Sequence, residues 1–315
     1  MSSRTRAIAW SDEIQRTPLH LDAGVHLAGE WVEPPHSRAV AVLLPGSGPL
    51  DRNGDARRMP LGIQAMLAQG LADAGISSVR WDKRGVGESG GSFLEAGFND
   101  LATDTLAVID AALEKSAPVI VIGHSEGAGL VPQLLINRPA IAAGVLLSGY
   151  ARSGLEVLRW QSRALVDDIP GFVKVILRVM RTDLESQTEK NRERLMNTTA
   201  DVERIGGVRV NARWHREFMA YDPSDDIARA TQPVLAITGS FDLQSPPEDL
   251  QRIADLRSAP TQTLLLERMS HILRPQEVKS LRGYRRELAL PLDERLLPAI
   301  TSFIDEMVLA SSERS

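Results

Sequence analysis

The chain has 315 residues, 43% of them hydrophobic, which is enough for one large core or for a core with an inserted subdomain. The formal net charge of −5 argues against binding to nucleic acid, and the absence of cysteine excludes disulfides, thiolate zinc sites and cysteine nucleophiles. We see no secretory signal after Met1 and no apolar run near the ~20 residues that span a bilayer, so we expect a cytoplasmic protein without membrane contact.

The N-terminal part alternates predicted strands and helices. Apolar and polar residues alternate over 19–33 on both sides of Ala23-Gly24, which predicts an antiparallel hairpin at one edge of a sheet. Continuous apolar runs further on predict strands buried on both faces, and apolar residues at helical spacing predict helices that cover them. In chain order these are a strand over Ala39–Leu44, a helix over Leu61–Ala74, a strand over Ile76–Trp81 and a helix over 98–115.

The stretch from Val119 to Leu130 has the features of a nucleophile elbow. A β-branched run stops at Gly123, is followed by Ser125, and continues after Gly127 as small and apolar residues suited to a helix. In the spacing G-x-S-x-G, the two glycines leave room for a serine held in a strained backbone conformation. The N-terminus of the following helix favours negative charge at that point. We predict that Ser125 is a catalytic nucleophile; the alternative is a plain Gly-Ser turn.

The second half of the chain contains one interruption of this alternation. Further buried strands are predicted over Ala142–Leu147, Pro233–Thr238 and Thr263–Leu266, with helices around 247–256 and over 293–309. Residues 151–225 contain no buried-strand run. A helical apolar stripe lies within them, formed by Phe172, Val175, Ile176, Val179 and Met180.

Strand–helix alternation of this kind predicts an α/β protein with a mostly parallel sheet of about eight strands, flanked by helices. Catalytic groups are then expected at the carboxyl ends of the strands. We predict a core formed by 1–150 and 226–315 and a helical cap insertion over 151–225; the alternative for the insertion is a pair of ordinary crossover helices.

A serine nucleophile needs a base within hydrogen-bond reach and a third group that orients the base. Three of the six histidines lie in or just after the edge hairpin, remote from the strand ends: His20, His26 and His36. His124 adjoins Ser125, but the elbow aims its side chain elsewhere. His271 follows the last strand, in a loop that reaches over the elbow, whereas His215 lies in the insertion. We predict that His271 is the base, with His215 as its rival.

Asp242 is the predicted orienting carboxylate. It follows a buried strand by a few residues and gives the chain order serine, aspartate, histidine that is expected of α/β-hydrolases. Asp225 and Asp226 are rivals, but they precede that strand and would lie at the wrong end of the sheet.

The oxyanion of a tetrahedral intermediate needs donors that are fixed in advance. We expect one to be the backbone N–H of Glu126, which follows the nucleophile, and the other to be the backbone N–H of Ser47, in the glycine-containing loop Pro45–Gly48. The Glu126 carboxylate would repel a developing oxyanion, so its side chain must turn away, towards a cation.

Three further motifs are weak. Ser89 also stands in a G-x-S-x-G pattern, but no buried strand leads directly into it. The pattern G-x-G-x-x-G over 85–90 would suggest a dinucleotide site, yet no helical period follows. The segment Asp51–Asp55 is similar to the start of a calcium loop, but Gly62 stands where a bidentate glutamate is required. We therefore expect neither a cofactor nor a metal.

Three segments resemble motifs of bacterial serine esterases of the α/β-hydrolase superfamily, in the branch described as dienelactone-hydrolase-like or acyl esterase: Pro45–Gly54, Arg80–Ser89 and Gly123–Gly127. The resemblance covers roughly 20–150 and 213–310. It implies the α/β-hydrolase fold and the triad that spacing also selects, and it assigns Asp82 and Arg84 to a turn that braces the active-site loops. Pro45 departs from the wider superfamily, in which many members carry histidine there.

The leading functional prediction is hydrolysis of a small-molecule carboxylic ester, with a short acyl chain, through an acyl-serine intermediate. Trp214, Phe218 and Tyr221 are spaced four and three apart, and they form either an aromatic wall of the substrate pocket or plain packing of the insertion onto the core. The alternatives are a thioesterase or peptidase with the same triad, a non-catalytic binding protein on this fold, and a dinucleotide-dependent oxidoreductase.

Overall fold

The computed structural model describes residues 10–168 and 184–309. The apolar stripe over 172–180 therefore lies outside the described residues. Strands are β1 (Gln15–Asp22), β2 (His26–Glu33), β3 (Val40–Leu44), β4 (Asp55–Ala56), β5 (Met59–Pro60), β6 (Ser77–Trp81), β7 (Val119–His124), β8 (Ala143–Leu147), β9 (Val202–Ile205), β10 (Val208–Asn211), β11 (Val234–Gly239) and β12 (Thr261–Leu266). Helices are α1 (Ile63–Asp73), α2 (Phe98–Leu113), α3 (Glu126–Asn137), α4 (Gly154–Asp168), α5 (Leu184–Asn197), α6 (Ala212–Ala220), α7 (Ser224–Arg229), α8 (Asp249–Leu256), α9 (Tyr284–Glu287) and α10 (Leu296–Ile304).

Eight strands form one sheet in the order β1-β2-β6-β3-β7-β8-β11-β12. The predicted hairpin β1–β2 is antiparallel and joins β6 in antiparallel register, while every pairing from β6 onwards is parallel. The carboxyl ends of β3, β6, β7, β8, β11 and β12 therefore meet at one edge of the sheet. The predicted mostly parallel sheet of about eight strands is confirmed.

The two faces of the sheet bury separate apolar clusters, because successive side chains of a strand point to opposite faces. Along β7, Val119 and Val121 pack beneath α2 and α3, whereas Ile120 and Ile122 pack beneath α1 and α10. All six residues of β7 are buried. Coverage of both faces explains why the central strands are continuous apolar runs and do not alternate with polar residues.

The segment predicted as an insertion contains α4, α5 and α6, and also an antiparallel hairpin formed by β9 and β10. The prediction from sequence described this segment as helical and missed the hairpin. Among its eight strand residues only Asn211 is buried, so no buried apolar run marked the hairpin. The Gly206-Gly207 pair in the sequence did indicate a hairpin turn. These two glycines form the turn with φ of 58° and 82°, the positive values that a tight hairpin turn requires.

Within the described ranges, no helix combines the length and the apolar character that are needed to cross a membrane.

Candidate active site

Ser125 lies at the sharp turn between β7 and α3. Its φ of 54° and ψ of −115° lie outside the ordinary regions for a residue with a side chain, and its N–H donates to the carbonyl of Leu147 on the neighbouring strand at 2.9 Å. A Cβ on Gly123 would stand 2.3 Å from the carbonyl oxygen of Gly127, and one on Gly127 would stand 2.8 Å from that of Pro45. Both glycines of the motif are thus sterically required.

The imidazole of His271 lies between Ser125 and Asp242. Its Nε2 is 2.9 Å from Ser125 Oγ, and its Nδ1 is 2.9 Å from Asp242 Oδ2. Because a carboxylate only accepts hydrogen bonds, Nδ1 carries the proton in the neutral ring, and Nε2 is free to accept the proton of the serine hydroxyl. The structure therefore brings the three predicted residues into one hydrogen-bonded chain, from loops that follow β7, β11 and β12.

Asp242 is fully buried just after β11. Besides His271, its Oδ1 accepts the backbone N–H groups of Gln244 at 2.7 Å and Ser245 at 2.8 Å. Burial alone would raise the pKa of Asp242, but the neighbouring imidazole and these hydrogen bonds outweigh it and lower the pKa below 3.8. The group is therefore an ionised, firmly held acceptor for the Nδ1 proton.

The alternative candidates for the base and the orienting carboxylate have other partners. His215 is on α6, where its Nδ1 is 2.7 Å from the carbonyl oxygen of Asn211 and its ring packs edge-on against Trp214. Asp225 and Asp226 belong to α7, before β11, and Asp226 accepts a hydrogen bond from the Tyr221 hydroxyl at 3.0 Å.

The loop after β3 approaches the elbow closely. A Cβ on Gly46 would stand 3.3 Å from the Cβ of Ser125, so a larger residue would crowd the Ser125 side chain. In the part of the chain that the structure describes, the backbone N–H groups of Ser47 and Glu126 donate to no acceptor. Of the two predicted oxyanion donors, Glu126 directly follows Ser125, and Ser47 directly follows Gly46, which packs against Ser125.

The side chain of Glu126 is buried and turned to a cation, as the electrostatic argument required. Its Oε2 accepts from Lys83 Nζ at 2.7 Å, and its Oε1 accepts from the indole N–H of Trp214. Lys83 also donates to the carbonyl oxygen of Gly46 at 2.7 Å. Lys83 was not among the predicted site residues, because its motif indicated only a bracing turn.

The three aromatic residues of α6 and its end differ in their surroundings. Phe218 is buried, stacks on Trp214 with ring centroids 4.8 Å apart, and meets Phe98 of α2 edge-on at 5.6 Å. Tyr221 also contacts Phe98, at 5.2 Å. Phe218 and Tyr221 therefore pack against α2, as expected if these aromatic residues only pack the insertion onto the core. Trp214 instead bonds to Glu126, the residue that follows Ser125.

His124 is a second site residue that sequence reasoning passed over. Its Nε2 is 2.8 Å from the backbone carbonyl oxygen of His271, and the two rings lie 5.1 Å apart. Burial, with a contribution from His271, lowers the pKa of His124 to about 3, so the ring is neutral at ordinary pH. Because a carbonyl only accepts, the Nε2–H of His124 donates this hydrogen bond and holds the backbone of His271 in place.

The turn after β6 packs around a buried carboxylate. Asp82 Oδ2 accepts from the Arg52 guanidinium at 2.6 Å and from the Glu88 N–H at 2.9 Å. A Cβ on Gly87 would lie 2.3 Å from the Asp82 carboxylate. The buried Ser89 hydroxyl donates to the Asp82 carbonyl at 2.7 Å. Gly87 and Ser89 therefore stabilise this turn.

The segment that is similar to a calcium loop closes on itself. Asp51 Oδ1 accepts the N–H groups of Asn53 and Asp55, at 2.8 and 3.0 Å. Across residues 10–168 and 184–309, no three histidine or carboxylate side chains are grouped so that they could hold a metal ion.

The sheet order and the serine elbow define the class of protein: this is a hydrolase with the α/β-hydrolase fold. A family model described as serine aminopeptidase, S33, matches residues 61–274, and the chain belongs to that family. The resemblance to serine hydrolases of the α/β-hydrolase superfamily is confirmed.

Solved structures share the fold at low sequence identity. Est1E from Butyrivibrio proteoclasticus, bound to ferulic acid, is 18% identical with a TM-score of 0.62, covering 92% of this chain and 99% of that one. The Pyrococcus furiosus esterase Pf2001 is 13% identical with a TM-score of 0.62, covering 96% of each chain. Proline iminopeptidase from Mycobacterium smegmatis is 14% identical with a TM-score of 0.63, covering 94% and 100%. No curated protein matches the chain.

Proposed function

We propose that this protein hydrolyses small-molecule carboxylic esters through an acyl-serine intermediate, with Ser125 as nucleophile, His271 as base and Asp242 as the group that orients the base. The observation that carries the proposal is the pair of 2.9 Å contacts that joins the three side chains, with the serine at a backbone φ of 54°. This is the relation of nucleophile, base and orienting group that acyl transfer requires.

In the first step, Ser125 Oγ attacks the ester carbonyl carbon while His271 Nε2 takes the hydroxyl proton. The tetrahedral intermediate collapses, the bond to the alcohol oxygen breaks, and the alcohol leaves with the proton held on Nε2. A water molecule then attacks the acyl carbon while His271 Nε2 takes one of its protons. The bond between the acyl carbon and Ser125 Oγ breaks, Nε2 returns the proton to Oγ, and the carboxylic acid is released. Throughout, Asp242 holds Nδ1–H and stabilises the transient imidazolium.

The negative charge of each tetrahedral intermediate needs donors placed beforehand. We assign this role to the backbone N–H of Glu126, which directly follows Ser125, and to that of Ser47, which directly follows Gly46 in the loop packed against Ser125. The N-terminus of α3 adds a favourable dipole at the same point.

Residues 151–225 are proposed to act as a cap over a hydrolase core formed by 1–150 and 226–315. The contact of Trp214 with Glu126 supports this arrangement, because it joins α6 to the residue that follows the nucleophile. The acyl or alcohol part of a substrate would then lie between the carboxyl edge of the sheet and the cap, with Trp214 on its wall. We propose short acyl chains as the preferred substrates.

Aminopeptidase activity is the second candidate, and membership of the serine aminopeptidase family is the observation that favours it. An aminopeptidase must hold the free ammonium group of its substrate, for which a carboxylate is the natural partner. The carboxylate next to Ser125 belongs to Glu126, is 2% exposed, and is already occupied by Lys83 and Trp214. This occupancy supports an uncharged ester as the preferred substrate.

The test of the nucleophile uses two serines that stand in the same G-x-S-x-G pattern. A fluorophosphonate label should modify Ser125 in the wild type, and Ser125→Ala should abolish both labelling and turnover of p-nitrophenyl butyrate. Ser89→Ala is the matched control and should keep both. Labelling that persists in Ser125→Ala would remove Ser125 from the mechanism, and a wild type that neither labels nor turns over would favour a non-catalytic binding protein.

Substrate class is tested by comparing kcat/KM for p-nitrophenyl acetate and butyrate, a butyryl thioester, a feruloyl ester and a prolyl p-nitroanilide. The feruloyl ester is included because Est1E binds ferulic acid. We expect the short esters to be hydrolysed fastest. Faster turnover of the anilide would establish the aminopeptidase alternative, and faster turnover of the thioester would establish a thioesterase.

A further inference from the structure

Lys83 is a buried lysine that no step of the proposed mechanism uses. It follows β6 and Asp82, and 7% of its surface is exposed. Its ammonium donates to the Gly46 carbonyl and to Glu126 Oε2, both at 2.7 Å. Burying a charged group is costly unless it is paired and hydrogen-bonded, as Lys83 is here.

The hydrogen bond from Lys83 to the Gly46 carbonyl also orients the N–H group of the next residue, Ser47. The peptide unit that carries this oxygen also carries the N–H of Ser47, and the unit is planar and trans. The C=O and N–H of one trans peptide point in opposite directions. A donor that holds the Gly46 oxygen therefore sets the direction of the Ser47 N–H, one of the two assigned oxyanion donors.

The bond to Glu126 acts on the other donor. The carboxylate is held from two sides, by Lys83 at Oε2 and by the indole of Trp214 at Oε1. With its side chain fixed, Glu126 begins α3 with its backbone N–H beside Ser125. The ammonium also offsets a negative charge that would otherwise oppose the developing oxyanion.

We propose that Lys83 is a positioning residue for catalysis: its ammonium holds the Gly46–Ser47 peptide unit and the Glu126 side chain, and so places the backbone N–H groups of Ser47 and Glu126 that are assigned to the oxyanion hole. This rests on the proposed function, and it adds a residue outside the triad on which the rate of acyl transfer depends. Because the oxyanion exists only in the transition state and intermediate, loss of Lys83 lowers kcat and leaves KM nearly unchanged.

The test removes the ammonium without leaving a buried carboxylate unpaired. The double variant Lys83→Met/Glu126→Gln is uncharged at both positions, and the amide oxygen of the glutamine still accepts from Trp214. We expect kcat for p-nitrophenyl butyrate to fall about 10- to 100-fold, the range caused by a misplaced oxyanion donor, with KM within about threefold. Affinity for a boronic acid transition-state analogue should fall in parallel with kcat.

Two matched variants separate this effect from general damage. Glu126→Gln alone keeps the bond from Lys83 to Gly46 but loses the ion pair with Lys83, so its kcat should lie between those of the wild type and the double variant. Lys115→Met/Glu33→Gln removes a lysine–glutamate pair of 2.9 Å between β2 and the end of α2, and it should leave kcat unchanged. If the double variant does not fold by circular dichroism, Lys83→Arg, which keeps the charge but alters the reach of the donor, should show the same loss of kcat at unchanged KM.

A folded double variant with wild-type kcat, or one whose boronic acid affinity is unchanged, would overturn the role of Lys83; so would wild-type kcat in Lys83→Arg where that variant is used. Failure of the proposed function gives a different result, because the wild type would then show no Ser125-dependent labelling or ester turnover.

Discussion

Replacing Asp242 with asparagine exchanges one oxygen for an amide nitrogen and preserves the shape of the side chain. In the wild type, Oδ1 accepts from the backbone N–H groups of Gln244 and Ser245. His271 Nδ1 lies 3.0 Å from Oδ1 and 2.9 Å from Oδ2, the oxygen without a backbone donor. The amide oxygen of asparagine must keep the two backbone donors, because an NH2 group there would face other donors. The amide NH2 is therefore directed at Nδ1.

That orientation reverses the tautomer of the base. An NH2 group donates, so Nδ1 must accept, and the single proton of the neutral ring moves to Nε2. Nε2–H then donates to Ser125 Oγ and cannot take its proton. In serine hydrolase triads the wrong tautomer lowers kcat by about 10⁴-fold, which corresponds to about 5 kcal/mol of transition-state stabilisation.

The assay is kcat for p-nitrophenyl butyrate at neutral pH, with the free energy of unfolding measured in urea. Asp242→Asn should keep a cooperative unfolding transition, since both backbone donors remain paired. Asp110→Asn, in an exposed pair with Arg138, is the control for the same chemical change and should retain wild-type kcat. Retention of more than about a tenth of wild-type kcat in folded Asp242→Asn would refute the tautomer argument.

Three further predictions concern the same loops. His271→Ala should lower kcat by several orders of magnitude while His215→Ala leaves it near wild type, and the opposite pattern in ester assays would transfer the role of base to His215. His124→Phe leaves the buried His271 carbonyl without its donor, so unfolding in urea should show a loss of about 1–3 kcal/mol, and kcat should fall less than in His271→Ala; unchanged stability would contradict the contact. Because the pKa of Asp242 is lower folded than unfolded, its carboxylate stabilises the fold above pH ~3.8, and this contribution is lost as the pH falls further. Wild-type stability measured from pH 6 to pH 3 should therefore fall more steeply than that of Asp242→Asn, and parallel curves would refute the assignment.

The relative positions of Ser125, Asp242 and His271, the proposed triad, were predictable because each depends on backbone topology. Ser125 was marked by a buried run, two glycines and a helix start, and Asp242 and His271 by their places after predicted strands. In a mostly parallel sheet those strand ends meet at one edge, so residues separated by 146 positions are brought to 2.9 Å. Here hydrophobic pattern and chain order were sufficient.

Side-chain partners were less predictable, because they depend on which elements become neighbours and on where each side chain points. His124 was set aside as a base because the elbow turns it away from the hydroxyl, and it does turn away; its ring instead reaches the carbonyl of His271, on the loop after β12. The β9–β10 hairpin was missed for a related reason. Only one of its eight strand residues is buried, so no apolar run marked the strands, and the turn residues Gly206-Gly207 were the one local signal of the hairpin.

The glutamate after the nucleophile is the clearest case of a local conflict that is resolved by a distant contact. An isolated carboxylate beside a developing oxyanion raises the energy of the transition state, and burial strengthens that repulsion because the local dielectric is low. Paired with Lys83 at 2.7 Å, the same carboxylate forms one end of a dipole, whose field falls off faster with distance than that of a single charge. The remaining partner, Trp214, lies 88 positions further along the chain, in the segment proposed as a cap. Docking of that segment and the electrostatics of the proposed oxyanion hole therefore depend on one carboxylate. We expect a change that displaces α6 to act on the proposed acyl transfer as well as on substrate binding.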